Sequence, residues 1–216
     1  MAATKTSKSP DILSMYMDSV LEHEKFPLSV YKFCKTNEID EQDFYKSYAS
    51  LDTIKYHVWQ VFFDNTMGLL LKNKHYDSMD RKDRLLTFYF TFFEVLLLNR
   101  SYVLFALEGN ESRMTKIGQL KKLRISFKSF ASELIEEGND NKTLSLAKHP
   151  VGLFSEASWA QLLFFLKFWL DDTSPNFEKT DAAIEKSINV AFDVFDNTQL
   201  DAIFDLGKFL WKEKFI

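Results

Sequence analysis

Glycine and proline together supply only ten of the 216 residues, six Gly and four Pro. A chain with so few turn-formers cannot make the many tight reversals of an all-β fold, so it must be spent in long helices. The apolar residues agree, because they recur at helical spacing and convincing strand alternation is absent. Ile12, Met15, Val20 and Leu21 predict an amphipathic first helix ending near Phe26–Pro27. A short helix over 29–36 with Val30 and Phe33 inward, and another over 42–48, follow. A long helix is predicted over 51–74, with Ile54, Val58, Val61, Phe62, Leu69 and Leu70 on its apolar side. Asp77 to Asp80 reads as a turn that caps the next helix. Residues 85–98 are apolar on nearly every side, as in a helix buried all round. One helix is expected over 111–136 with Gly138 as its C-cap, then a surface connection to 154. Ser155 is expected to cap a helix reaching Leu170. Ser174–Pro175 matches a cap followed by a first-position proline, and 177–215 reads as one helix or two joined near Asn197. The expectation is an all-α protein of eight or nine helices.

Composition excludes several classes of function. One cysteine, Cys34, rules out an internal disulfide framework and a multi-thiolate metal site, and fits a reducing, cytoplasmic setting. His23, His57, His75 and His149 are scattered, with no HExxH pattern. Neither GxGxxG nor a P-loop occurs, Glu22-His23-Glu24 reads as a solvated face, and Asp171-Asp172 suits turn and capping chemistry. No cofactor is expected and no enzyme is expected, since no acid, base or nucleophile arrangement is recognisable. The stretches 85–107 and 162–170 are, respectively, interrupted by charge and too short to span a bilayer, so an integral membrane protein is not expected.

The segment Ser29-Val30-Tyr31-Lys32-Phe33-Cys34-Lys35-Thr36-Asn37-Glu38-Ile39-Asp40-Glu41-Gln42-Asp43-Phe44-Tyr45-Lys46-Ser47-Tyr48-Ala49-Ser50-Leu51-Asp52-Thr53-Ile54 resembles, without a gap, the helix-turn-helix signature of the TetR family of bacterial repressors. Phe33 and Cys34 fall on the family's Ile-Ala, Ile39 on its turn Val, and Phe44-Tyr45 on the Leu-Tyr of its recognition helix. The resemblance implies a helix-turn-helix head over residues 1–54 and a ligand-binding and dimerisation body over 55–216. It further implies a homodimeric transcriptional regulator that meets DNA through Lys5, Lys8, Lys32, Tyr45 and Lys46. An apolar small molecule would bind in the body near Phe88, Phe92, Phe93, Phe105 and Trp159, and Phe165, Trp169, Phe192 and Phe195 would form the dimer face. For the rings, dense packing is the competing account.

The chain departs from the family at the positions that face DNA. Glu38 replaces the turn glycine, although it tolerates a positive φ poorly. Asp40-Glu41-Gln42 replaces Ser-Lys-Gly, and Leu51 replaces the phosphate-binding lysine. Through residue 54 there are six lysines and nine acids, a net charge of −3 out of −4 for the whole chain. Carboxylates at a recognition helix oppose phosphate binding, though they suit a helix N-terminus. A second likeness lies at Phe168-Trp169-Leu170-Asp171-Asp172-Thr173-Ser174-Pro175-Asn176-Phe177-Glu178-Lys179-Thr180 with Ile184. It is similar to the late helix-turn-helix of the mitochondrial and proteobacterial ubiquinone-biosynthesis accessory protein, which shares the fold and binds isoprenoid lipid rather than DNA. It leaves open a lipid-binding accessory protein that has lost DNA. Arg113, Lys116, Lys121, Lys122, Arg124 and Lys128 follow one another with no acid between them. Arg113, Lys116, Lys121, Arg124 and Lys128 can form a basic stripe, either a solvated face or a contact for an anionic membrane, partner or headgroup.

Overall fold

The computed structural model describes residues 11–109, 112–140 and 148–196, with side chains to 193. Ten α-helices run through them: α1 Ile12–His23, α2 Val30–Thr36, α3 Glu41–Ser47, α4 Leu51–Leu70, α5 Arg81–Leu97, α6 Arg100–Glu108, α7 Arg113–Gly118, α8 Lys121–Asp140, α9 Val151–Asp171 and α10 Glu178–Asp196. Short 3₁₀ turns occupy Tyr76–Ser78 and Pro175–Phe177. Two compact units form, one from residues up to Asn65 with Glu94–Ser126, the other from Thr66–Phe93 and from Phe127 onward.

In the first unit the helices begin where short polar side chains can accept orphan N–H groups. Asp11 accepts from the Ser14 N–H (3.2 Å), Ser29 from Lys32 (3.2 Å) and Asp40 from Gln42 (2.9 Å). At the start of α4, Ser50 and Thr53 exchange side-chain-to-backbone bonds at 3.0 and 3.3 Å, a reciprocal cap. α1 stops at His23, earlier than its apolar pattern predicts, because Glu24 turns into the left-handed region at φ 51°. Phe26 is thereby freed to pack edge-on against Phe105 at 5.1 Å, with the Lys55 ammonium 3.6 Å from its ring centre. Tyr16, Phe33 and Phe44 link α1, α2 and α3 through ring contacts of 6.0 and 5.9 Å. The predicted single helix over 111–136 is two helices, α7 and α8. Between them Gln119 is buried, accepting from Trp59 Nε1 at 3.2 Å and donating to the Ala106 carbonyl at 2.8 Å. Those two long-range bonds fix a bend that no local periodicity encodes.

The second unit is built around aromatic packing. Phe88 of α5 lies 5.6 Å from Phe92, 5.4 Å from Phe127 and 4.9 Å from Phe130. Tyr89 meets Phe165 edge-on at 5.0 Å, and Phe93 meets Trp169 at 5.8 Å. As predicted, Asp80 caps α5, accepting from the Asp83 N–H at 2.8 Å. Gly138 is not a C-cap. It lies inside α8, where a Cβ would collide with the Arg81 guanidinium, so the glycine admits a close approach. The helix continues to Asp140, and the Asn139 side chain pairs with both backbone groups of His149 at 2.9 and 2.7 Å. Nor does Ser155 cap α9, which starts four residues earlier; Ser155 is buried and donates to the Gly152 carbonyl at 3.1 Å. The turn before α10 starts with Ser174 at the cap position and Pro175 first, as predicted. The Ser174 side chain makes no bond to the turn, however, and accepts instead from the Lys179 N–H at 3.2 Å. The turn's anchor is Asp172, whose two oxygens accept from the N–H and hydroxyl of Ser174 (2.8 and 2.6 Å) and of Thr180 (2.9 and 2.7 Å). No single helix of the described residues is long and apolar enough to cross a membrane.

Candidate nucleic-acid interface and ligand cavity

The α2–turn–α3 pair is held by its inward side. Phe33, Cys34, Ile39 and Phe44 are buried, and the Ile39 N–H bonds the Cys34 carbonyl at 2.9 Å across the turn. The turn needs a left-handed residue, and Glu38 supplies it at φ 55°, where the sequence places a residue ill suited to that region. Burial pushes the Cys34 thiol up, and the nearby Glu41 and Asp40 add to this, so it stays protonated and inert.

The outward side carries Lys32, Tyr45 and Lys46, all exposed. Lys32 shares a hollow of about 180 Å³ with His23, Lys25, Phe26 and Leu28, which brings together basic groups from α1, the connecting segment and α2. Lys46 has an acid beside it. Its ammonium is 2.7 Å from Asp43 on the same helix, and that hydrogen bond, then the charge of Asp43, raises its pKa. Asp40 and Glu41 stand at the start of α3 and Asp43 in its first turn. Tyr31, more than half exposed, lies under Lys35 at 5.7 Å, an aromatic–cation pair at the i,i+4 spacing of one helix face. Lys5 and Lys8 lie outside the described residues.

Behind α3, the Tyr48 hydroxyl hydrogen-bonds His57 Nδ1 at 2.8 Å. Burial lowers the His57 pKa and the charge of Lys122 lowers it further, placing the start of α8 in the electrostatic neighbourhood of α4. Burial, then Asp11, raises that of Tyr48, so both groups are neutral near pH 7.

The five residues expected around a ligand divide between the two units. Phe88, Phe92, Phe93 and Trp159 are buried against one another and their neighbours, filling the second unit's core. Phe105 belongs to the first unit and packs on Phe26. The four rings of the second unit are thus densely packed. A cavity of about 50 Å³ does open in the second unit, walled by Leu85, Leu134, Ile135 and Phe192, with Arg81 and Gln161 as polar groups. It has room for a few waters rather than a drug-sized molecule.

The residues expected at the dimer face differ in exposure. Phe165 and Trp169 are 0% and 1% exposed within the protomer, so they have no area left to give a partner. One residue away, Phe164 is 54% exposed, and with exposed Leu153, Ala157 and Ala160 it forms the open side of α9. α9 is apolar all round, which is why spacing alone could not choose the side. Phe192 is half-buried, and its ring lies 5.8 Å from the Arg81 guanidinium; the side chain of Phe195 lies outside the described residues. Among the described residues no cluster of His, Cys, Asp or Glu could hold a metal ion.

No curated protein matches the sequence. Among solved structures, a protein from Syntrophomonas wolfei str. Goettingen assigned as a TetR-family transcriptional regulator is similar in fold, with a TM-score of 0.66. Identity is 17%, over 83% of this chain and 92% of that one. The family model described as "Tetracyclin repressor-like, C-terminal domain" matches residues 84–210. That match covers more than half of the chain, so the all-α helix-turn-helix-plus-bundle protein described above belongs to the TetR family of regulators.

Proposed function

We propose that the chain is a homodimeric transcriptional regulator whose α2–α3 pair meets duplex DNA and whose helical body responds to an apolar small molecule. The observation that carries this reading is the division of the pair into two sides. Phe33, Cys34, Ile39 and Phe44 lock it from within, leaving Lys32, Tyr45 and Lys46 outward. The head is residues 1–54 and the body the remainder, a division by role. Phe164 and its neighbours on α9, with exposed Val190 on α10, form the face for the second protomer. The effector enters at the Arg81–Phe192 cavity, which must widen to receive it. A binding protein without a catalytic step is proposed.

A second reading is favoured by one specific observation: the α3 lysine is paired with Asp43, and Asp40 and Glu41 stand beside it. Under that reading the chain is a lipid-binding or accessory protein of the same fold that has left DNA. Fluorescence anisotropy with the native upstream duplex and with random duplex at low salt separates the two. Tighter binding to the upstream duplex supports the regulator. No binding to either, with and without the organic extract of the purified protein, refutes it.

A further inference from the structure

The cations of α7 and early α8 stand where helix electrostatics disfavours them. Arg113 opens α7, Lys121 and Lys122 open α8 with Arg124 one turn in, and neither helix has an acid in its first turn. Helix N-termini carry partial positive charge, so basic residues there lower helix stability. From Ser112 to Ser132 there is no Asp or Glu. Local folding thus gives no reason for these charges.

Apolar side chains stand exposed among them. Met114 is 85%, Ile125 63% and Ile117 44% exposed, whereas Leu120, Leu123 and Phe127 face inward and are buried. Met114 and Ile117 share one side of α7, and Ile125 lies one helical turn from both Lys121 and Lys122. The stripe read along the sequence is narrower in space: Lys116 is half-buried, and Lys128 is ion-paired with Glu156. What remains on α7 and early α8 is three exposed apolar side chains among the exposed cations Arg113, Lys121 and Lys122.

A phosphate backbone would use the cations and leave Met114, Ile117 and Ile125 in water. An anionic bilayer uses both, since headgroups attract the cations while apolar side chains enter the acyl boundary. We infer that the α7–α8 corner docks this protein peripherally on an anionic bilayer surface. The inference stands apart from whether α2–α3 reads DNA.

The test is flotation of the full-length protein with pure phosphatidylcholine vesicles and with mixed phosphatidylcholine–phosphatidylglycerol vesicles. Binding to the mixed vesicles alone is expected. Each cation near an anionic surface contributes about fivefold to partitioning, so Lys121→Ala/Lys122→Ala should weaken it about 30-fold. Met114→Ser/Ile125→Ser keeps every charge and should still weaken it about tenfold or more. Because all four residues are exposed, unchanged melting curves should show that both variants fold. Absence of binding to mixed vesicles, or equal binding to both vesicle types, overturns the inference. So does wild-type binding by Met114→Ser/Ile125→Ser, or loss of random-duplex binding in the lysine variant with no vesicle binding to lose.

Discussion

Replacing Asp172 with alanine removes the anchor between α9 and α10 at its one carboxylate. Four hydrogen bonds go at once, two to Ser174 and two to Thr180, at 2.6 to 2.9 Å. Ser174 is half-exposed and its N–H can return to water, but Thr180 is 1% exposed and its N–H is left stranded. An orphaned buried donor costs about 1–3 kcal/mol, and bonds to a charged acceptor contribute about 1.5–3 kcal/mol. Because these losses overlap, Asp172→Ala should destabilise by about 2–4 kcal/mol in all. Thr180→Val, which keeps the N–H bond and the shape, should cost about 1 kcal/mol. Burial pushes the Asp172 carboxyl up, but the bonds from Ser174 and Thr180 outweigh it and hold it far below the usual carboxylate range. A depressed carboxylate stabilises the fold above its unfolded pKa and loses that contribution as pH falls toward its folded value. The gap between wild type and Asp172→Ala should therefore be full above about pH 5 and shrink through the unfolded value of 3.8 and below. Urea unfolding at fixed protein concentration reads this directly, with a midpoint shift of about 1–2 M at pH 7. A shift of a few tenths of a molar or less, or a gap unchanged between neutral and acid pH, would refute the anchoring role.

Other substitutions test other elements. Glu38→Gly relieves a left-handed glutamate, worth about 1–2 kcal/mol, against the entropy glycine costs; a net gain of about 0.5–1 kcal/mol should raise the thermal midpoint. Gly138→Ala sets a methyl against the flexible end of the Arg81 side chain, which can swing aside, and alanine gains about 0.8–1 kcal/mol in helix propensity. Denaturant melts should therefore stay within about 1 kcal/mol of wild type. Phe164→Asp should shift sedimentation equilibrium from dimer toward monomer, whereas Phe165→Leu should lower stability without changing assembly. Asp43→Asn releases Lys46 and removes a charge from α3, so duplex affinity should rise at low salt and converge with wild type at high salt.

Chemistry acting over a few residues was legible in the sequence. Asp80 caps α5 and Ser174–Pro175 open the turn before α10 as read, and the positions matched to the helix-turn-helix core, Phe33, Cys34, Ile39 and Phe44, are buried. What depends on distant partners was not. Gln119 looks like one more polar helical residue until Trp59 and the Ala106 carbonyl claim it. Gly138 looks like a stop signal unless Arg81 is known to lie over it. For the aromatics, residue type announced burial but could not distinguish rings that line a cavity from rings that fill one. On α9 it could not separate Phe164 from Phe165. The acidic α3 was legible as a count, but the pairing of Lys46 with Asp43 sharpens it, since the helix's own lysine is engaged on the spot.

Hydroxyl-radical footprinting of the native upstream DNA tests the central claim most directly, that α2–α3 still meets duplex DNA in a two-fold dimer. The account predicts two protected half-sites related by symmetry and set about one helical turn, or a multiple of it, apart. Protection should weaken in Tyr45→Ala and strengthen in Asp43→Asn. An unprotected ladder with a folded, dimeric protein at low salt would contradict it.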